Sequence, residues 1–331
     1  MVRRNFLLCV AAVLAVLSPL ARAQQPEAPP VKAEDPRDLV VMSFNIRYGT
    51  AKDGDNAWPS RRQLVIDRIR AHKADIVGLQ EALRFQIDEL LAAMPEYKSV
   101  GVGRDDGKDA GEHAAILYRR ELLELAPIPP TPAADDQPAT GNFWYSDSPE
   151  RPGSKSWGNR ITRICTWARF RQIGTSAAFF VFNTHFDHES QPSREKSAEL
   201  LLQRIAERSP RDPVIVTGDF NAGESNPAVT AILAPARENA ADKPRLRDSF
   251  RMLHPDEKTV GTFNGFKNTT GGDKIDYVFI DDAWEVLEAS IDRTMPDGRL
   301  PSDHFPVVAK VRLRVAAPST PEPGTTRPAS P

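Results

Sequence analysis

The sequence contains very little cysteine, because only Cys9 and Cys165 occur among its 331 residues. If the N-terminal segment that carries Cys9 is removed, no internal disulfide can form, and the hydrophobic core must stabilise the fold. A soft-metal site is also disfavoured, since there is no cysteine pair and the histidines lack the HExxH spacing. Cys165 lies in the strand-like run ITRICTWARF and is predicted to be a buried apolar residue.

Other features are absent as well. No GxSxG motif supplies a nucleophile for covalent acyl transfer, and neither an internal repeat nor a sustained heptad pattern is present. Lys and Arg number 43 against 45 Asp and Glu, and they form no clusters. This balance argues against broad, non-specific binding of nucleic acid, although it permits a local basic cleft.

The two ends of the chain are predicted to lie outside the globular domain. Arg3 and Arg4 precede a short apolar run that closes on Ala21-Arg22-Ala23, which predicts a signal peptide over residues 1–23 and a secreted or periplasmic protein. A retained N-terminal anchor is the alternative. Residues 24–37 and 316–331 are rich in Pro, Ser, Thr and Glu and predict a flexible linker and a disordered tail. Residues 38–315 are long enough for one layered domain.

Apolar runs and periodicity predict a mixed set of elements. Helices are predicted at residues 59–72, 83–94 and 193–208, and strands at residues 39–46, 75–80, 114–118, 161–170, 177–184, 214–221, 274–280, 284–291 and 306–315. Several strands follow one another without an intervening helix. This order favours an α+β or mixed α/β sandwich of packed sheets covered by helices.

The run Val214–Asn221, VIVTGDFN, is the most informative segment of the sequence. Because side chains alternate along a strand, Asp219 and Asn221 are predicted to project to the same side of its polar end. An acid and an amide fixed side by side suit a site that handles a phosphate and an attacking water. An ordinary Asx turn is the alternative interpretation.

Polar side chains close or interrupt several other apolar runs, and together they predict a single cleft. They are Asn45, Glu81, His185 with Asp187, Asp276, and Asp303 with His304. The hard oxygen donors Glu81, Asp303 and the Asn45 amide suit Mg²⁺ or Mn²⁺. The chemistry that fits this set is a metal-activated water attacking phosphorus. Asn45 as a turn residue and Asp276 as a structural hydrogen-bond partner remain alternatives.

A long Pro- and Gly-rich stretch, residues 127–158, contains several aromatic residues, among them Trp144 and Trp157. A loop of this length in a compact domain is usually functional or disordered. The aromatic residues favour a lid or wall beside the site that could contact substrate. An inert packed surface loop is the alternative.

The ordered set of sequence blocks resembles the endonuclease/exonuclease/phosphatase superfamily, which has the DNase-I-like fold. The blocks run from about Leu39 to Leu313 in the family's order: SFNIRYG, GLQEA, HAAILYR, RICTWARF, NTHFDH, TGDFN, KIDYVF and SDHFPV. The resemblance implies a four-layer α/β/β/α sandwich, in which two mixed sheets are flanked by helices. It also implies a Mg²⁺- or Mn²⁺-dependent phosphoester hydrolase.

The resemblance further implies roles for the matching residues. Glu81 is similar to the principal metal ligand, with Asn45 and Asp303 as its companions. Asp219 resembles the acid that aligns the water, and Asn221 the amide that holds the phosphate or an adjacent ligand. The remaining matches are His304 as the phosphate-contacting histidine, Asp276 as the carboxylate that orients it, and His185 as a phosphate binder or leaving-group acid.

The substrate and two further residues stay open at this point. Arg163 could contact phosphate or be a structural ion-pair partner, and Asp187 matches a variant motif of unassigned role. A small phosphoester is favoured over long nucleic acid, because the protein is acidic and lacks basic clusters. An extracellular nuclease and a catalytically inactive phosphate-binding module are the alternatives.

Overall fold

Two β-sheets packed face to face form the centre of the protein. The computed structural model describes residues 36–130, 138–234 and 245–314. The first seven strands are β1 (Leu39–Asn45), β2 (Ile76–Gln80), β3 (Tyr97–Val100), β4 (Ile116–Arg119), β5 (Leu123–Leu125), β6 (Thr140–Trp144) and β7 (Ile164–Gln172). The remaining six are β8 (Ala178–His185), β9 (Val214–Asp219), β10 (Arg247–Asp248), β11 (Asp276–Ile280), β12 (Trp284–Ile291) and β13 (Val307–Leu313).

Five α-helices accompany the strands in the described residues. They are α1 (Trp58–His72), α2 (Arg84–Ala93), α3 (Gln191–Glu207), α4 (Pro227–Leu233) and α5 (Ser249–Leu253). Pro59 lies in the first turn of α1, where its missing N–H costs no hydrogen bond. Ser190 caps α3, since its side chain accepts a hydrogen bond from the Ser193 N–H.

Each sheet mixes parallel and antiparallel pairs. The first sheet has the order β12-β13-β1-β2-β4-β3, and β1 and β2 are parallel. The second has the order β10-β11-β9-β8-β7-β5, with β6 paired to β7 and with β8 parallel to β9. The two parallel pairs lie near the middle of their sheets, so the carboxyl ends of β1, β2, β8 and β9 can gather at one edge.

Three apolar clusters show the layering. The cluster between the sheets joins inward residues of both, such as Val41, Ile76, Phe179 and Ile215. A second cluster packs α1 and α2 on the outer face of the first sheet, and a third packs α3 and α4 on the outer face of the second. The predicted α/β/β/α sandwich is therefore confirmed.

The structure adds elements that the sequence patterns did not predict. Strands β3, β5, β6 and β10 and helices α4 and α5 are all short, so their periodicity is weak. Strand β6 lies inside the stretch that was read as a loop, and its residues Phe143 and Trp144 are buried. Cys165 is buried as predicted.

The predicted signal peptide, the linker up to residue 35, and the C-terminal tail lie outside the described residues. So do residues 131–137 of the predicted loop. Among the residues that the structure does describe, no helix is both long and apolar enough to cross a bilayer.

A buried asparagine joins the two sheets by hydrogen bonds. The Asn183 amide of β8 donates to the carbonyl oxygens of Leu79 and Ala115 in the first sheet, at 2.8 and 2.9 Å. Its oxygen accepts from the Gln80 amide at 2.6 Å and from the Thr217 hydroxyl at 2.9 Å. Four partners therefore satisfy one side chain that is fully buried.

The sheets also meet closely beside Asn183. The Gly218 N–H of β9 donates to the Ser43 hydroxyl of β1 at 2.9 Å. A Cβ on Gly78 would overlap the Thr217 hydroxyl and the Asn183 amide oxygen, so this position admits only glycine without rearrangement.

Replacing Asn183 by alanine should lower the free energy of unfolding by roughly 2–4 kcal/mol, because several buried polar groups would lose their partner. Urea denaturation followed by circular dichroism measures this change. The exposed Asn268 supplies the matched control, and its alanine variant should stay within about 0.5 kcal/mol of wild type. Equal stability of the two variants would contradict the inter-sheet role of Asn183.

Candidate active site

A cleft of about 760 Å³ lies at the edge where the strand ends gather. Strand pairing sets three acidic and imidazole side chains side by side, since His185 of β8 and Asp276 of β11 both pair with Asp219 of β9. The cleft is lined by Arg47, Tyr48, Asp53, Glu81, Arg104, Glu112, Ile161, Arg163, His185, His188, Asp219, Asn221, Phe263, Gly265, Phe266, Ile275, Asp303 and His304.

Asp219 is at the centre of the polar groups. One carboxylate oxygen accepts a hydrogen bond from the Asn45 amide at 2.9 Å and lies 3.5 Å from His185 Nε2 and 3.7 Å from His304 Nε2. Burial and the neighbouring Asp276 carboxylate raise the pKa of Asp219 to about 7. A carboxyl group with this pKa can accept a proton from water near neutral pH.

Asn45 joins the two halves of the site. Its amide donates to Glu81 at 3.1 Å as well as to Asp219, and its oxygen accepts from the Arg47 N–H at 3.0 Å. Asn45 is fully buried beneath the cleft. A role as a turn residue therefore accounts for only some of the contacts that Asn45 makes.

His304 is held by a carboxylate from the neighbouring strand. Its Nδ1 bonds to Asp276 Oδ2 at 2.9 Å. Burial alone would lower the pKa of His304, but the Asp276 and Asp219 carboxylates raise it well above its ordinary value. These carboxylates favour the protonated form of the imidazole, and its Nε2 lies 3.7 Å from Asp219. Asp276 is a positioning residue for this histidine.

His185 has the opposite environment. The Asn221 amide lies 3.0 Å from its Nε2 and also donates to the Phe186 carbonyl oxygen. In the tautomer whose Nε2 accepts from this amide, the ring proton is on Nδ1, which is buried without a hydrogen-bond partner. The Glu112 carboxylate lies 3.9 Å from that Nδ1. Burial, followed by the charge of Arg163, lowers the pKa of His185 well below its ordinary value.

The surroundings of the two histidines beside Asp219 therefore shift their pKa values in opposite directions. Those of His304 favour the imidazolium form, which can bind a phosphoryl oxygen, and those of His185 favour the neutral imidazole. Sites of acid–base catalysis typically hold two groups of the same kind in surroundings that shift their pKa values in opposite directions.

The predicted metal ligands Glu81 and Asp303 face the same part of the cleft. The Arg47 guanidinium lies 4.0 Å from Glu81 and 3.7 Å from Asp303, while its hydrogen bonds go to Asp53. Neither ligand carboxylate is thus hydrogen-bonded by a cation, and burial raises the pKa of Asp303. This all-oxygen donor set fits a hard divalent ion.

A second group could also hold a metal ion. Ligand atoms of Asp219, Asp276 and His304 all lie within 4.8 Å of one another. One oxygen of this group, Asp276 Oδ1, is buried without a hydrogen-bond partner. The Asp276–His304 hydrogen bond already occupies two of the other atoms of this group that could bind a metal ion. We therefore regard the end of the cleft that carries Glu81 and Asp303 as the better position for the ion.

Arg163 lines the cleft beside His185, whereas Asp187 does not. The Arg163 guanidinium donates to His188 Nδ1 at 2.7 Å and lies 3.6 Å from Asp187. Its Nε and Nη1 are buried without hydrogen-bond partners. Asp187 is buried and accepts from the backbone N–H groups of Glu189 and Ser190. It therefore holds the loop and Arg163 and has no direct access to substrate.

The structure does not bring the two tryptophans into the cleft. Trp144 packs with Ala114 and Ile164, and its indole donates to the Arg104 carbonyl oxygen at 2.6 Å. The Trp157 indole donates to Asp147 at 2.7 Å. The pairing of β6 with β7 packs Trp144, whereas Trp157 lies in a turn beyond β6 and packs against the cluster on the outer face of the second sheet. Their predicted contact with substrate gains no support from this placement.

The position of Asn221 has a different cause from the predicted one. Strand β9 ends at Asp219, and Asn221 follows with a left-handed φ of 48°. The Asn221 N–H donates to the Asp219 carboxylate at 2.9 Å, which is an Asx turn. The side chains of Asp219 and Asn221 still line the same cleft. The Asx turn, and not the alternation of side chains along a strand, sets their relative position.

Several cleft residues carry no signal that the sequence analysis used, among them Arg47, Arg104, Glu112 and Phe263. Glu112 could have been found, because it precedes the apolar strand β4 as other site residues border strands. Its two oxygens accept from Arg104 at 2.6 and 2.7 Å. Phe263 lies in an isolated bridge, outside any element with a periodic pattern.

Comparison with known proteins agrees with the fold. Residues 42–304 match the Endonuclease/Exonuclease/phosphatase family, and the chain belongs to this family. Members of the family are hydrolases that act on phosphoesters.

Two solved structures from Bacteroides have sequences that are about one third identical. An endonuclease/exonuclease/phosphatase from Bacteroides vulgatus is 33% identical, covers 84% of this chain and 100% of its own, and gives a TM-score of 0.72. The mannosyl-6-phosphatase Bt3783 of Bacteroides thetaiotaomicron is 31% identical, covers 83% and 100%, and gives 0.70.

A more distant relative is Nocturnin of Drosophila melanogaster. It is 21% identical over 326 residues, which cover 86% of this chain and 48% of that protein. The chain thus spans about half the length of that relative.

Metal binding should depend on Glu81. Saturating Mn²⁺ should stabilise the wild-type protein by about 2–3 kcal/mol at a hundredfold excess over the dissociation constant, and Glu81→Gln should lose most of this gain. Thermal unfolding with and without Mn²⁺ measures it. Glu288→Gln, at an exposed position of β12, is the control. Loss in Asp276→Asn but not in Glu81→Gln would instead assign the ion to the Asp219, Asp276 and His304 group.

Proposed function

We propose that the protein is a divalent-metal-dependent hydrolase of phosphoester bonds in small phosphorylated molecules, with Mg²⁺ or Mn²⁺ as its ion. The observation that carries this proposal is the row of His304, Asp219 and His185, with 3.7 and 3.5 Å between neighbours, in a cleft that the carboxylates Glu81 and Asp303 also line. Such a row binds an anionic group and moves a proton in the same small space.

Each residue of the row has a task in this reaction. His304, charged and oriented by Asp276, binds a phosphoryl oxygen and neutralises the charge that develops on it. Asp219 holds the attacking water and accepts its proton, since its pKa of about 7 lies near neutrality. Asn221 and His185 flank this position on the other side of Asp219. The ester P–O bond breaks as the bond from water to phosphorus forms, and the leaving oxygen takes a proton from solvent. A divalent ion bound at Glu81 and Asp303 would polarise a phosphoryl oxygen.

Substrate size is inferred from the cleft and from a relative. A cleft of about 760 Å³ suits a small molecule. The similar Bacteroides protein is described as a mannosyl-6-phosphatase, which makes a hexose 6-phosphate the first substrate to test. We also propose export across the cytoplasmic membrane, on the basis of the N-terminal sequence pattern.

Asp219→Asn and His304→Ala should each lower kcat by about 10²- to 10⁴-fold, because each removes a group that transfers a proton or stabilises the transition state. The measurement is phosphate release from mannose 6-phosphate and from bis-p-nitrophenyl phosphate with Mg²⁺ or Mn²⁺, and EDTA should abolish it. Asp88→Asn, at an exposed position on α2, is the matched control.

Two results would contradict the proposal. The first is wild-type turnover in both site variants at unchanged fold. The second is cleavage of plasmid DNA or RNA without activity on any small phosphoester, which would support the nuclease alternative.

A further inference from the structure

Phe263 is an apolar side chain at an unusual place. Its side chain is 51% exposed. Four large apolar side chains of the described residues are exposed to solvent, and of these four Phe263 lines the cleft. Phenylalanine is normally buried, so an exposed ring beside polar site residues points to a binding function.

The ring is held in place by the same segment that carries His304. Phe263 forms an antiparallel bridge with His304, and the two rings meet edge to face with centroids 5.1 Å apart. The N–H groups of Asn264 and Gly265 donate to the Asp303 carbonyl oxygen at 2.7 and 3.1 Å. Phe263 is therefore fixed relative to the reacting centre and is not a mobile surface residue.

The turn after Phe263 has a strained backbone and is held by buried hydrogen bonds. Gly265 and Phe266 both have left-handed backbones, with φ of 59° and 58°, which is uncommon for phenylalanine. The buried Asn264 accepts from the Phe266 N–H at 2.8 Å and donates to the Ser302 carbonyl oxygen at 3.2 Å. Strain that is held by buried hydrogen bonds is typical of a turn kept for function.

The following turn lies close to the ring but leaves half of the side chain exposed. A Cβ on Gly265 would lie 3.5 Å from the edge of the Phe263 ring. Phe263 is 51% exposed and lines the cleft, so it offers a preorganised aromatic surface to a ligand there. Preorganisation lowers the entropy cost of binding a ring against it.

Contacts along the site define where this surface lies. Phe263 contacts His304, which lies 3.7 Å from Asp219, and Asp219 in turn lies 3.5 Å from His185. Phe263 is thus in contact with the histidine that binds the phosphoryl oxygen in the proposed reaction. A ring joined to the phosphate through one or two atoms can reach it.

We propose that Phe263 is a stacking platform for the sugar ring of the phosphorylated substrate, an inference that rests on the proposed function. The C–H groups on one face of a pyranose carry partial positive charge and pack on the negative face of an aromatic ring. Asp53 and Tyr48 also line this cleft and offer acceptors and donors for hydroxyl groups. Polar groups of this kind suit a polyol better than a nucleobase.

The platform predicts a loss that depends on the ring of the substrate. Phe263→Ala should lower kcat/KM for mannose 6-phosphate about 10- to 100-fold, mainly through KM, as expected for loss of ring stacking. Activity on glycerol 3-phosphate, which has no ring, should change less than about threefold. Phe263→Trp should retain the preference for mannose 6-phosphate. Phe85→Ala removes a similarly exposed phenylalanine outside the cleft and should change neither substrate.

Three outcomes would overturn the inference. An equal loss on both substrates would mean that Phe263 acts by positioning His304. A loss confined to nucleoside 5′-monophosphates would make it a platform for a base. Wild-type activity on both substrates would mean that the ring makes no contact.

A binding measurement separates this inference from the proposed function. Calorimetric titration of mannose 6-phosphate and of glycerol 3-phosphate into Asp219→Asn requires no turnover. Adding Phe263→Ala should weaken only the first, by about tenfold or more. If wild-type protein hydrolyses nothing while this difference persists, the proposed function fails and the platform stands. If hydrolysis occurs without the difference, the platform fails alone.

Discussion

The site depends on the close approach of two sheets where Gly78 of β2 faces Thr217 and Asn183. A side chain larger than hydrogen at residue 78 would separate the layers. The hydrogen bonds of Asn183 to Leu79 and Ala115 lock the sheets at this spacing. A buried polar network of this kind stabilises one arrangement, because a shift of either sheet would leave several buried groups without partners. The cleft is thus built on a polar contact inside an otherwise apolar core.

That spacing explains why groups from different sheets act as one site. Asn45 and Glu81 follow strands of the first sheet, whereas His185, Asp219 and Asp276 belong to the second. The Asn45 amide reaches both Glu81 and Asp219 only because the strand ends meet. Left-handed backbone at Arg47, Glu81 and Asn221 then turns the chain sharply after each strand. Such conformations are costly for non-glycine residues and persist where the surrounding structure holds them.

Much of this could be predicted from the sequence, and the reasons are physical. Long apolar runs such as β1, β8, β9 and β12 have a clear period and ended within a few residues of the predicted bounds. The short strand β6 was not predicted, since it has five residues and its aromatic residues resemble those of a binding loop. Trp144 shows the limit: composition alone does not distinguish a side chain that packs under a strand from one that faces a ligand. Glu112 and Phe263 were missed because their importance comes from neighbours distant in sequence.

The sequence by itself indicated the chemistry that we propose for the site, because acids, amides and imidazoles at the ends of buried strands suit few purposes. It also determined the layered class of fold, through the order of strands and helices. Only the tertiary structure shifts the pKa values of the two histidines in opposite directions, since these values depend on burial and on groups brought close by folding. It likewise decided that Phe263 lines the cleft. Trp144 does not, because the pairing of β6 with β7 packs it, and Trp157 lies in a turn beyond β6 and bonds to Asp147.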